Sequence, residues 1–117
     1  MKILDEEIEF DFLDGDDLEK LENAVAKTQK FIDNLDTKNT STSKLIKDTC
    51  IAINKCFDNS FGEGTSERIF KGKYNIKICL RAFKELIEEK NKQENSFSEE
   101  MEEINKYLPN RQTRRSK

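Results

Sequence analysis

The sequence predicts a mainly α-helical protein: a small bundle of three to four helices behind a short N-terminal β-hairpin. Three observations carry this. Apolar residues recur at spacings of three and four over several long stretches, the period of a helix with one buried face. One stretch near the N-terminus alternates at every second residue, the period of a half-buried strand. Glycines, Asx residues and hydroxyl residues fall where these periodic runs begin or end, as helix stops and caps do.

The alternation lies in EIEFDF, residues 7–12. Ile8, Phe10 and Phe12 share one side; Glu7, Glu9 and Asp11 share the other. Ile3 and Leu4 supply the opposing arm of a hairpin over about residues 1–13, with its turn at Asp5-Glu6. A two-stranded ribbon is marginal alone, so its apolar face must cover helices or another chain. DGDD at 14–17 then opens a helix. Asp14 or Asp16 caps it, and acids suit the positive end of the helix dipole. Leu18, Leu21, Val25, Thr28, Ile32 and Leu35 form its narrow seam, with Phe31 beside it.

TKNTSTS at 37–43 is a polar loop. A second helix runs from about Ser43 to Asn59, with Ile46, Cys50, Ile53, Phe57 and Phe61 on its apolar face. Gly62-Glu63-Gly64 ends it, because glycine takes left-handed geometry at little cost. Thr65 or Ser66 caps a single turn through Ile69 and Phe70, closed by Gly72. Asn75 caps a helix over about 75–93, whose stripe is Ile76, Cys79, Leu80, Phe83, Leu86 and Ile87. Ser96 with Glu99 forms a capping box for a fourth, short helix carrying Phe97, Met101, Ile104 and Leu108, and Pro109 stops it.

With 117 residues the chain reads as one helical domain, 1–108, followed by a basic flexible tail, 109–117. Charged residues make up 38%, but the net charge is only −3, so self-repulsion does not oppose folding. No apolar run approaches the length of a membrane span. MKILDEEIEF is acidic and lacks the basic and apolar regions of a signal peptide, so a cytoplasmic location is expected. Cys50, Cys56 and Cys79 are odd in number and form no CxxC, which disfavours a disulfide framework and suits small buried residues.

Several chemistries fail on their residues. A phosphate loop needs a glycine, four intervening residues, then Gly-Lys-Ser/Thr. Here Gly72-Lys73 is followed by Tyr74, and Glu67 stands where the first glycine belongs. Placing Gly15 at the sixth position of a calcium loop would put Phe10, Phe12 and Leu21 at ligand positions. The chain has no histidine, which excludes a histidine-based triad. No catalytic, metal or cofactor signature is present, so a non-enzymatic protein is expected.

Two basic features stand out. Arg68, Lys71, Lys73 and Lys77 cluster with Phe70 and Tyr74 interleaved, and the tail adds Arg111, Arg114, Arg115 and Lys117. Such a set can follow a phosphate backbone. The isoelectric point of 5.2 and the ten acids between Asp5 and Glu22 weigh against nucleic acid. A solvated face is the simpler account.

The run FGEGTSERIFKGKYNIKICLRAFKELIE (61–88), the EFDF stretch, the acidic helix start and the PNRQTRR segment (109–115) together resemble a small protein family of Gram-positive bacteria and their phages. Such proteins are similar to tail assembly chaperones of long-tailed phages. The resemblance implies a non-enzymatic role without a cofactor: coating the tape measure protein and recruiting tail tube subunits during tail polymerisation. Self-association is a further option, and no membrane is involved. Coating a long helical target calls for many weak, reversible apolar contacts. Candidate contacts are Phe10 and Phe12 on the alternating face, and Phe61, Phe70 and Tyr74 around the turn. The simpler role for each aromatic is to fill the protein's own core.

Overall fold

In a computed structural model describing residues 1–108, each long helix begins where a short polar side chain caps it. Helix α1 (Gly15–Asp33) starts after Asp14, whose carboxylate accepts from the Asp17 backbone N–H at 2.9 Å. Helix α2 (Thr42–Phe61) starts after Ser41, whose hydroxyl accepts from Lys44 N–H at 3.3 Å. Helix α4 (Ile76–Asn105) starts after Asn75, whose side-chain oxygen accepts from Ile78 N–H at 3.2 Å. Each bond satisfies one of the donors that a helix start leaves without an intrahelical partner.

The short helix α3 (Thr65–Phe70) has no cap of its own. Asp58, in the last turn of α2, supplies it: the carboxylate accepts from Ser66 N–H at 2.8 Å and from the Ser66 hydroxyl at 2.9 Å. This one side chain couples the end of α2 to the start of α3.

The described residues are mainly helical, forming four helices and a short two-stranded antiparallel hairpin at the N-terminus. Helix α2 lies at the centre, packed against α1, α3 and α4. Leu21, Ala24 and Val25 of α1, Cys50, Ile53, Cys56 and Phe57 of α2, and Cys79, Ala82, Phe83 and Leu86 of α4 form the core. Ile69 and Phe70 of α3 complete one end, and Ile3, Ile8 and Phe12 of the N-terminal segment cover it. Thr28 joins this interior by donating its hydroxyl to the Ala24 carbonyl at 2.8 Å.

Two expectations change. The hairpin is shorter and shifted by one residue: β1 (Lys2–Ile3) pairs with β2 (Glu6–Glu7), so the turn is Leu4-Asp5 rather than Asp5-Glu6. Both turn residues have positive φ, 48° and 70°, the handedness that suits strand twist in tight hairpins. Residues 8–12 are not strand, although Ile8 and Phe12 are buried as the alternation predicts. Side chains outside the hairpin hold it in place. Glu85 accepts from Leu4 N–H at 3.1 Å, and the Arg68 guanidinium donates to the Glu7 carbonyl at 2.8 Å.

The second change is at the C-terminal end. The expected helices at 75–93 and 96–108 are one continuous 30-residue helix, α4. The Ser96/Glu99 pair lies inside it and caps nothing. At 1.5 Å per residue α4 is about 45 Å long. The longest dimension of the described chain is 60 Å. All buried residues of α4 lie between Cys79 and Leu86, so its C-terminal half projects beyond the core. The basic tail, 109–117, lies outside the described residues.

Candidate partner-binding surface

The five aromatic candidates separate by depth. Phe12 and Phe70 belong to the core, 9% and 5% exposed. Phe10 and Phe61 are half-buried at its margin, and Tyr74 is exposed. Four edge-on or tilted contacts join the phenylalanines into a chain of rings. Phe12 meets Phe10 at 4.8 Å between centroids, and Phe10 meets Phe61 at 4.9 Å with planes 88° apart. Phe61 meets Phe57 at 5.9 Å, and Phe57 meets Phe70 at 5.7 Å. Edge-to-face geometry sets the positive rim of one ring against the negative face of the next. The chain therefore runs from the interior at Phe57 and Phe70 out to Phe61 and Phe10 at the margin, and back to buried Phe12.

The outer pair floors a shallow depression of about 740 Å³. Glu9, Asp11, Asp17 and Asp58 stand on its rim with Lys20. Two rings among mostly acidic neighbours suit a partner that offers an apolar side chain beside a cation. No group of three or more His, Cys, Asp or Glu side chains among the described residues is arranged to hold a metal ion.

Phe61 serves both core and surface, which limits its contribution to stability. Phe61→Ala is expected to cost about 1–2 kcal/mol, from partial burial plus its two ring contacts. A chemical melt beside wild type measures it.

Arg68 is engaged by the hairpin, accepting neighbours being the Glu7 carbonyl and the Glu6 carboxylate at 3.4 Å. Lys71, Lys73 and Lys77 are exposed. Arg111, Arg114 and Arg115 lie outside the described residues.

The three cysteines are buried and unpaired. Burial raises the Cys56 thiol, with the neighbouring Thr28 and Ser60 hydroxyls acting in the opposite direction. Burial, reinforced by the neighbouring Cys50 thiol, pushes Cys79 up to about 12. A thiol near 12 when folded and near 9.0 when unfolded favours the folded state below pH 9.0, and that advantage is lost as pH rises through 12. Native protein at mildly alkaline pH should therefore label slowly with a thiol-reactive dye. Complete labelling should follow the denaturant unfolding transition.

Two surface features were not singled out as sites from the sequence. One is a groove between α1 and α2 containing Phe31 and Ile51, whose exposed sides the helical seams do not identify. The other is the row Phe97, Met101 and Ile104, exposed along the projecting half of α4, with Leu108 exposed just past its end. Its spacing was legible; its exposure follows from the continuity of α4.

A family of unknown function, DUF6673, matches residues 4–117, nearly the whole chain. The protein belongs to the DUF6673 family. No curated protein matches the chain, and no solved structure matches it. The match begins at Leu4, in the hairpin turn, and covers the ring chain and α4; the DUF6673 description assigns them no activity. Among the described residues of this DUF6673 protein, no helix is long and apolar enough to cross a membrane.

Proposed function

We propose that this protein is a non-enzymatic phage or prophage factor, a tail assembly chaperone. It acts in the bacterial cytoplasm by binding the tape measure and tail tube proteins. The phage setting rests on the sequence resemblance. The observation that carries the binding role is the Phe10–Phe61 pair: two rings left at the margin of the core, flooring an acidic-rimmed depression. Rings that touch buried neighbours, Phe10 on Phe12 and Phe61 on Phe57, are ordered before a partner arrives, so binding spends little entropy on them. A shallow site of this kind suits repeated, reversible contacts along an extended target.

The test is binding of purified protein to tape measure segments and tail tube subunits encoded beside it, by calorimetry. Binding to at least one is expected, with Phe10→Ala weakening it roughly tenfold or more. Ile78→Ala, an exposed apolar position outside the depression, serves as the control. Absence of binding to both proteins refutes the chaperone reading. The nucleic-acid alternative has less support, because Arg68 already bonds the hairpin and the chain is acidic overall. That alternative requires duplex or single-strand affinity that falls as salt rises.

A further inference from the structure

The projecting end of α4 is an amphipathic arm: Phe97 and Ser98 still border a hollow with Phe12, Leu13 and Leu18, and beyond them Met101 and Ile104 are exposed. Phe97, Met101, Ile104 and Leu108 lie at spacings of four, three and four, and they are 53%, 43%, 50% and 36% exposed. Residues 94–108 around them hold five glutamates and one lysine. An apolar seam on an acidic helix calls for an apolar groove with a basic rim.

This chain carries such a groove. Helices α1 and α2 leave a furrow formed by two adjoining hollows of about 410 and 460 Å³, which share Lys27, Phe31 and Asp48. Phe31 and Ile51 line it while remaining 42% and 38% exposed. Its lysines are Lys27, Lys30, Lys44 and Lys55; its acids are Asp36 and Asp48. Asp48 is paired with Lys44 at 2.9 Å, and Asp36 accepts from the Lys38 and Asn39 backbones, so the lining stays net positive.

We infer that the α4 arm of one copy docks in the α1/α2 groove of a second copy. The arm and groove of a single chain do not meet: no α4 residue lines either hollow. Arm-to-arm pairing would set glutamates against glutamates, a like-charge contact that opposes association. The nine residues after Leu108 carry no large apolar side chain to cover the seam. The contact is heterologous, since arm and groove are different surfaces. Each added copy therefore presents a new free arm or groove, and the series closes as a ring or grows as a filament. One arm covers less area than a standard stable interface, so assembly is reversible and concentration-dependent. This inference does not depend on the chaperone proposal, because it concerns only copies of this chain.

Sedimentation velocity of the full chain over a concentration series tests it. Wild type should rise above its monomer mass of 13.7 kDa with concentration, and rising salt should reverse this. An arm variant, Met101→Lys with Ile104→Lys, should stay monomeric. A groove variant, Ile51→Glu with Lys55→Glu, should also stay monomeric. All four positions are exposed, so the fold is expected to survive, and circular dichroism checks it. Mixing the two variants should produce a complex of two chains and nothing larger. The intact arm of one then meets the intact groove of the other, and no further joint can form. A wild type that remains monomeric throughout overturns the inference. So does continued association of either variant alone, or a mixture that forms no complex.

Discussion

Phe57→Ala lowers the unfolding free energy by about 3–5 kcal/mol, the range for removing a buried aromatic ring. Phe57 is fully buried on the central helix and touches both Phe61 and Phe70. Its removal leaves a cavity where α2 and α3 meet, and neighbouring rings cannot close it without abandoning their own contacts. The melting temperature should fall by roughly 10–25 °C, read by calorimetry. Phe61→Ala, at the margin of the same cluster, should cost less than half as much. The comparison is informative because both residues lie on the apolar face predicted for α2, and only their depth differs. Equal losses at the two positions would mean that the ring chain has no gradient from interior to surface, which would remove the basis for placing a partner at Phe10 and Phe61. A double variant with Phe70→Ala should be non-additive by about 0.5–1.5 kcal/mol, because the two residues share one edge-on contact.

Depth is also what separates the legible parts of this fold from the illegible ones. Asp14 and Asn75 announce their helices because capping is local chemistry, decided within a few residues. The α2 stop at Gly62 is local in the same sense. The continuity of α4 is not. Ser96 and Glu99 have the spacing of a capping box, but a helix interior accommodates both residues. The stretch around the expected break, EEKNKQEN at 88–95, holds no glycine or proline to interrupt the helix. It is also bridged at i, i+4 by Lys90–Glu94 and by Gln93–Glu89. With nothing to end it, the helix runs on.

The N-terminal segment fails for the opposite reason. Its alternation records burial of Ile8 and Phe12, but the ladder pairs only two residues on each side. The turn that sets its register uses Leu4 and Asp5 at positive φ without glycine or asparagine. Such a turn is held by Glu85 and Arg68, 81 and 61 residues away from their partners, and no local pattern contains them. The candidate site shows the same division. The aromatic positions were visible, while their order from core to margin depends on how α2, α3 and residues 8–12 meet.

Gly62→Ala costs about 1–3 kcal/mol through the backbone alone. Gly62 has φ 110° and ψ 154°, a region that residues with an L side chain essentially avoid. An added Cβ would meet nothing within 4 Å, so steric crowding cannot be the cause. The penalty matters because the turn at Gly62 aims α3. Its N–H closes α2 on the Asp58 carbonyl at 2.9 Å, and its carbonyl accepts the Thr65 hydroxyl at 2.7 Å. That reversal brings Ser66 onto the Asp58 carboxylate and Phe70 onto Phe57. A chain that escapes the strain by rotating at residue 62 gives up those contacts, so the loss should be similar whether the strain is kept or relieved. Gly15→Ala is the matched control: Gly15 opens α1, meets nothing within 4 Å and has no positive φ, so its replacement should be neutral or slightly stabilising. The decisive measurement is a synthetic chain with D-alanine at position 62. The mirror-image residue accepts positive φ, so its melt should match wild type, whereas a loss equal to that of L-alanine would place the cost in the added methyl group and not in the backbone angle.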